Sequence, residues 1–229
     1  MRALHVAIDG PAASGKTTVA RGLAARLHLL YLDTGAMYRA LTFLALQTRT
    51  EADNAAALRH LCEAGLIRVE LDAAAPLGFR VFAGDAELGE AALQSNEVTA
   101  IVSTVAAHPA VREAMVAAQR AIAARGSVVM AGRDIGTVVL PDAPVKIFLT
   151  ASVDARVERR RAQLARAGVD SSTHLLKEEI EERDRLDAGR AVAPLLAAPD
   201  ARTIDSSEMS ADQVVETIAA IVEGVRAEA

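Results

Sequence analysis

Gly10-Pro11-Ala12-Ala13-Ser14-Gly15-Lys16-Thr17 fits the pattern G-x-x-x-x-G-K-[ST], and the residues on either side give it the setting it needs. Ahead of it, Leu4-His5-Val6-Ala7-Ile8 is a short apolar run ended by Asp9-Gly10-Pro11, a buried strand followed by a turn. Behind it, from Lys16 onward, Val19, Leu23 and Leu27 share one face of a helix. In a strand-loop-helix of this kind, successive backbone N–H groups and the helix N-terminus cradle phosphate oxygens. Lys16 then reaches the β- and γ-phosphates, and the Thr17 hydroxyl is placed to ligate Mg²⁺. The stretch therefore predicts ATP and Mg²⁺ as cofactors. Gly10, Pro11, Ala12, Ala13, Ser14, Gly15, Lys16, Thr17 and Thr18 form the nucleotide loop, and Thr17 is the one assigned metal ligand.

Working outward, Leu29–Leu32, Val128–Ala131, Val145–Leu149 and Arg202–Ile204 are further short apolar strand candidates, separated by helical stretches. One helix is predicted over about 36–47 and a closing amphipathic helix over about 210–225. Short buried strands alternating with helices imply an α/β fold of the P-loop NTPase type, a parallel five-stranded sheet with helices on both faces. One segment breaks the rhythm. Ile67, Val69 and Leu71 alternate with Arg68 and Glu70, Phe79-Arg80-Val81-Phe82 follows, and Gly84-Asp85 offers a turn. This reads as a small antiparallel β insert over 65–96, leaving 1–64 and 97–229 as the core.

Composition narrows the function. The chain has 229 residues, with 25 Lys+Arg against 30 Asp+Glu and a net charge of -5. That balance argues against a general basic surface for nucleic acid. With 52% hydrophobic residues, aromatics at 3% and no Trp, the core is built from Leu, Val and Ile. Val98–Val111, 14 residues without Asp, Glu, Lys or Arg, is too short to span a bilayer. The first apolar run stops at Asp9, too soon for a secretory segment. Cys62 is the single cysteine, read as a buried inert thiol in a helix, and a cytoplasmic setting is expected. His5, His28, His60, His108 and His174 are scattered without ligand spacing, so no structural zinc site is predicted.

A P-loop does not distinguish a motor, a switch or a small-molecule kinase; the arginines do more. Asp33-Thr34-Gly35-Ala36-Met37-Tyr38-Arg39 follows the second strand and Ala131-Gly132-Arg133-Asp134 the third, so both fall at the carboxyl edge of the sheet, where ligands bind in such folds. Each offers a forked donor for an oxyanion. Arg156, Arg159 and Arg160 share a helical face, with Arg161 beside them. Gly168-Val169-Asp170-Ser171-Ser172 is a polar turn, and a second helix carries Arg183, Asp187 and Arg190. This Arg-rich helical hairpin, about 155–187, is predicted to act as a lid that excludes water and stabilises transfer. Glu158, Glu178, Glu179 and Glu181 read as solvated ion-pair partners.

The chain resembles the bacterial cytidylate kinases of the nucleoside monophosphate kinase superfamily. The matching segments run in order along nearly its whole length: Ile8 through Thr17, Leu32 through Arg39, Val105–Val111 with Arg112-Glu113, Gly132 through Val139, Pro141–Leu149, and Glu182-Arg183-Asp184 through Arg190-Ala191-Val192-Ala193-Pro194-Leu195. The resemblance implies a core, a lid, and an NMP-binding region containing the β insert. It implies transfer of the ATP γ-phosphoryl group to CMP or dCMP, giving ADP and CDP or dCDP, by a monomer with no nucleic-acid or membrane partner. By the same resemblance, Thr34, Arg112 and Asp134 surround cytosine, Ser103, Arg183 and Asp187 bond the pentose, and Arg39, Arg133 and Arg190 hold the monophosphate. A carboxylate with a guanidinium suits cytosine, which offers an amine donor and O2/N3 acceptors. The chain departs from the family pattern in two places. Thr34 stands where many relatives have Ser, and Leu93-Gln94-Ser95 where they often have Ile-Arg-Thr, which leaves the insert without that arginine.

The predicted chemistry is in-line transfer without a strong general base, since the acceptor oxygen is already anionic. Lys16, Arg133, Arg156 and Arg160 are the predicted catalytic, charge-neutralising residues. Two other readings compete. One is a P-loop kinase for AMP, UMP, dTMP, a sugar or a shikimate-like alcohol; the other is a nucleotide-binding switch with no acceptor, which leaves the second arginine set unexplained.

Overall fold

The computed structural model describes residues 3–166, 168–190 and 192–227; Ala191, inside the quoted Arg190–Leu195 string, lies outside the described residues. Five strands, β1 (His5–Asp9), β2 (Leu30–Asp33), β6 (Val128–Gly132), β7 (Val145–Thr150) and β8 (Arg202–Asp205), form one sheet in the order β2-β6-β1-β7-β8. The pairs β1–β7 and β7–β8 are parallel, with Ile8 opposite Ile147 and Leu149 opposite Ile204. β6 is buried at every position, which is why it carries an unbroken apolar run rather than an alternation. The α/β expectation holds, with its five parallel strands.

The chain divides into two compact units, Met1–Ala3 with Leu30–Val128 and Leu4–Leu29 with Val129–Ala229. In the second, α1 (Lys16–Leu27) packs along α9 (Ala211–Ala227). Gly22 permits that closeness: a Cβ there would stand 3.1 Å from a Val215 methyl. Val19, Leu23, Val214, Ile218 and Val222 fill the seam. α7 (Val153–Arg166) and α8 (Thr173–Ala188) make the predicted helical hairpin around a small core of Val157, Leu176 and Ile180.

The first unit holds α2 (Thr34–Gln47), α3 (Ala55–Glu63), α5 (Asn96–Ala107) and α6 (Pro109–Ala123), with the strands β3 (Ile67–Leu71), β4 (Phe79–Ala83) and β5 (Ala86–Glu87). Those three strands form the predicted antiparallel sheet, with Val69 opposite Val81 and the Gly84-Asp85 turn joining β4 to β5. Phe79 meets the Tyr31 ring at 5.8 Å. A four-residue helix, α4 (Glu90–Leu93), leads from the sheet into α5, so the expected limits of 65 and 96 bracket both. α2 starts two residues earlier than predicted because the Asp33 side chain accepts a hydrogen bond from the Gly35 amide and caps it. α9 runs two residues past its predicted end.

Cys62 is half-buried rather than buried, and burial, with Glu63 adding, pushes its thiol up to about 11. A thiol raised in this way carries little thiolate near neutral pH. No helix among the described residues is long and apolar enough to cross a membrane.

Candidate active site

In the second unit, the loop between β1 and α1 is shaped by backbone demands. Gly10 has φ +153°, and a Cβ there would fall 2.0 Å from the Leu149 carbonyl oxygen. Gly15 caps α1 at φ +94°, and Ala13 takes a left-handed conformation (φ 57°), a cost that a non-glycine residue accepts in few settings. With these turns made, Lys16 is buried and its ammonium bridges its own loop, donating to the Pro11 carbonyl at 2.6 Å and the Ser14 hydroxyl at 3.3 Å. Thr17 and Thr18 are exposed at the start of α1. Ser14 and Thr17 hydroxyls are hard oxygen donors of the kind Mg²⁺ takes, and the described residues contain no cluster of three or more His, Cys, Asp or Glu able to hold a metal unaided.

The arginines of α7 divide into two pairs. Arg156 is buried and donates to the Ala12 carbonyl at 3.3 Å, the Ala151 carbonyl at 3.2 Å and the Asp184 carboxylate at 2.5 Å. Arg159 donates to the Ser14 carbonyl at 3.1 Å and the Ser206 hydroxyl at 3.0 Å, and also to the Ser206 carbonyl. Both thus grip the outer, carbonyl side of the phosphate loop. Arg160 instead meets Gln163 on its own helix at 3.1 Å and lies 4.0 Å from Glu179, while Arg161 pairs with Glu158. Arg159, which sequence reasoning placed in the lid cluster but not among the catalytic residues, is thus a second arginine on the phosphate loop. Its signal was present in the i, i+3 face shared with Arg156, but its partner Ser206 is far along the chain. Glu178 pairs with His174, so three of the four predicted solvated glutamates have surface partners.

A second charged cluster joins Arg133 to residues more than fifty positions later in the chain. The Asp187 carboxylate, almost fully buried, accepts from Arg133 at 2.7 Å and from Arg190. Burial alone would raise the Asp187 carboxyl; Arg133 and Arg190, with Arg183, overcome it and hold it below the ordinary value of 3.8. After α8 the chain folds back, the Leu195 amide donating to the Asp187 carbonyl. Arg183 is half-buried on the same helix.

Asp134, buried, follows Arg133 and opens a π-helical turn, Ile135–Val139, absent from the sequence reading. The Asp134 carbonyl accepts from the Val138 and Val139 amides, and the Ile135 carbonyl from Leu140. The turn's first two amides, Ile135 and Gly136, donate to the two oxygens of Asp9 at 2.8 and 2.7 Å. Burial pushes the Asp9 carboxyl up to about 6, with these two hydrogen bonds pulling it back.

The first unit carries its own candidate residues. Arg39 is buried on α2 and donates to the Leu93 carbonyl at 2.8 Å and the Thr99 hydroxyl at 3.0 Å. The Leu93-Gln94-Ser95 segment thus meets Arg39 through a main-chain carbonyl, which any side chain at 93 would leave in place. Arg112, buried on α6, donates to the Ala106 carbonyl at 3.3 Å, and its guanidinium lies 5.5 Å from the Tyr38 ring centre. Thr34 is buried at the first position of α2, and Ser103 is half-buried on α5.

The family model for "Cytidylate kinase" matches residues 6–224. A cytidylate kinase from a Geobacillus species is 50% identical over 219 residues, 96% of each chain. One from Exiguobacterium sibiricum is 46% identical over 224 residues, 98% of this chain and 99% of that one. Among solved structures, an uncharacterized protein from Eubacterium ventriosum shares the fold (TM-score 0.51, 14% identity, 96% of this chain and 98% of that one). With the phosphate loop, the arginine clusters and a match over almost its whole length, this chain belongs to the cytidylate kinase family.

Proposed function

We propose that the chain transfers the γ-phosphoryl group of Mg·ATP to CMP or dCMP, giving ADP and CDP or dCDP, with the acceptor held by the second arginine set. The observation that supports this most directly is the Arg133–Asp187–Arg190 cluster, two half-buried arginines drawn onto one buried carboxylate in the unit that carries the phosphate loop. Such a cluster exchanges its internal partner for an incoming phosphate and ribose at little reorganisation cost. A nucleotide-binding switch has no use for it.

The proposed roles follow the family resemblance. Arg39, Arg133 and Arg190 bind the monophosphate, Ser103, Arg183 and Asp187 the pentose, and Thr34, Arg112 and Asp134 the cytosine. Lys16 leaves the Pro11 carbonyl for the phosphates and neutralises the transferring group. Mg²⁺, when bound through Thr17, supplies further charge neutralisation on the phosphate oxygens. Arg133, Arg156 and Arg160 are the proposed charge-neutralising arginines; Arg156, with Arg159, also keeps the loop's carbonyls turned back, so that its N–H groups face the nucleotide. No strong base is required, because the attacking oxygen is already anionic. A monomer working in the cytoplasm completes the reading.

The test is ADP release from Mg·ATP with CMP, dCMP, UMP, AMP and dTMP as separate acceptors. Fast turnover with CMP and dCMP alone supports the cytosine assignment. Turnover confined to another acceptor overturns the roles of Arg112 and Asp134. ATP binding with no turnover on any acceptor overturns the reading altogether.

A further inference from the structure

Asp9 has no part in the proposed chemistry, yet it is among the most buried charged residues of the second unit. It is the last residue of β1, directly ahead of Gly10, so its backbone belongs to the start of the phosphate loop. Its side chain turns to another loop. One oxygen accepts from Ile135 N and the other from Gly136 N, the first two amides of the π-helical turn. Those amides have no partner within the turn itself, since the donors of its ladder come later, at Val138, Val139 and Leu140. A carboxylate at this end of a helical turn is favoured both by hydrogen bonding and by the local dipole.

The fit is demanding at both ends. Two amides demand two acceptor oxygens; an amide side chain offers one, and its NH₂ would face an N–H. A Cβ on Gly136 would come within 3.4 Å of the Asp9 oxygen and 3.3 Å of the Lys146 side chain, so a residue other than glycine pushes the turn off the carboxylate. Arg133 and Asp134 immediately precede the turn, and the Asp134 carbonyl closes it.

We infer that Asp9 is a positioning residue for the acceptor loop: by holding the Ile135 and Gly136 amides, its carboxylate sets where Arg133 and Asp134 stand with respect to the start of the phosphate loop. This rests on the reading that Arg133 and Asp134 hold CMP. Asp9 touches neither nucleotide and acts only through the turn.

The experiment measures kcat, KM for CMP and KM for ATP in the full chain and in Asp9→Asn, Gly136→Ala and Arg133→Ala. Asp9→Asn is expected to raise the CMP KM about tenfold, the usual effect of losing one charge-assisted hydrogen bond. The ATP KM is expected to change less than about twofold, as for binding that the loss leaves untouched. Gly136→Ala is expected to give the same split at about threefold, in line with a displacement of a few tenths of an ångström. A merely structural role would lower the folded fraction and leave both KM values alone. Equal shifts in both KM values, or none, overturn the inference. If Asp9→Asn does not fold, the Gly136→Ala split decides by the same criterion. If Arg133→Ala raises the CMP KM while Asp9→Asn and Gly136→Ala do not, this inference alone falls. If Arg133→Ala leaves it unchanged, the acceptor assignment falls and the inference with it.

Discussion

The two loops that leave β1 and β6 solve one problem by different means. The phosphate loop is shaped from within: Gly10 and Gly15 take conformations that side chains resist, Ala13 accepts the cost, and Lys16 ties the loop to itself. The turn after β6 is shaped from outside, its leading amides waiting on the carboxylate of Asp9, more than a hundred residues away in the chain. A loop determined by its own backbone announces itself as a motif. A loop determined by a remote partner does not, however well the partner fits.

The contrast can be broken most sharply at Lys16. Lys16→Ala removes the charge that the inner-determined loop presents to phosphate, and kcat should fall on the order of a thousandfold, the usual cost of a charge-stabilising group. Steady-state assay at saturating CMP checks it; near wild-type turnover would remove Lys16 from the mechanism. Next in size is the difference between neighbours on α7. Arg159→Ala should raise the ATP KM by roughly tenfold or more, because the Ser14 and Ser206 carbonyls lose their shared donor. Arg161→Ala, which loses only an exposed pair with Glu158, should change it less than about twofold. Equal effects would erase the distinction between gripping and solvated arginines. Asp134→Ala should raise the CMP KM by about tenfold and the ATP KM far less, as expected for a lost buried polar contact to the base; equal changes would count against base reading.

The smallest effect concerns pH. Asp9 is raised to about 6 by burial, further by Asp134 and against the pull of Lys16, whereas an unfolded Asp titrates at 3.8. The folded state therefore binds the proton more tightly, and the burial cost present at pH 7 is relieved as pH falls through about 6. Relative to Asp9→Asn, the wild-type chain should gain on the order of 1 kcal/mol of stability between pH 7 and pH 5. Denaturant unfolding of both at the two pH values measures it, and a difference that stays flat would show that Asp9 titrates as an ordinary exposed carboxylate. Asp187 runs the other way. Its carboxyl is held below the ordinary value, so its stabilising ion pairs are complete above that value and are lost only as pH falls below it.

Sequence alone determined what local backbone chemistry dictates. The apolar run of β6, the alternation of β3 and β4, the Gly84-Asp85 turn and the Gly10–Thr17 loop are each consequences of residues within one turn or one strand of each other. So, through resemblance along the whole chain, was the family. Tertiary structure decided the partnerships. Ser206 as the partner of Arg159, Asp184 as that of Arg156, Asp187 as the acceptor of Arg133, and Asp9 as the holder of a π-helical turn all join residues that no periodicity connects. The physical reason is burial. A charge taken out of water must find its counterpart wherever the fold brings one, and that counterpart is set by packing rather than by distance along the chain.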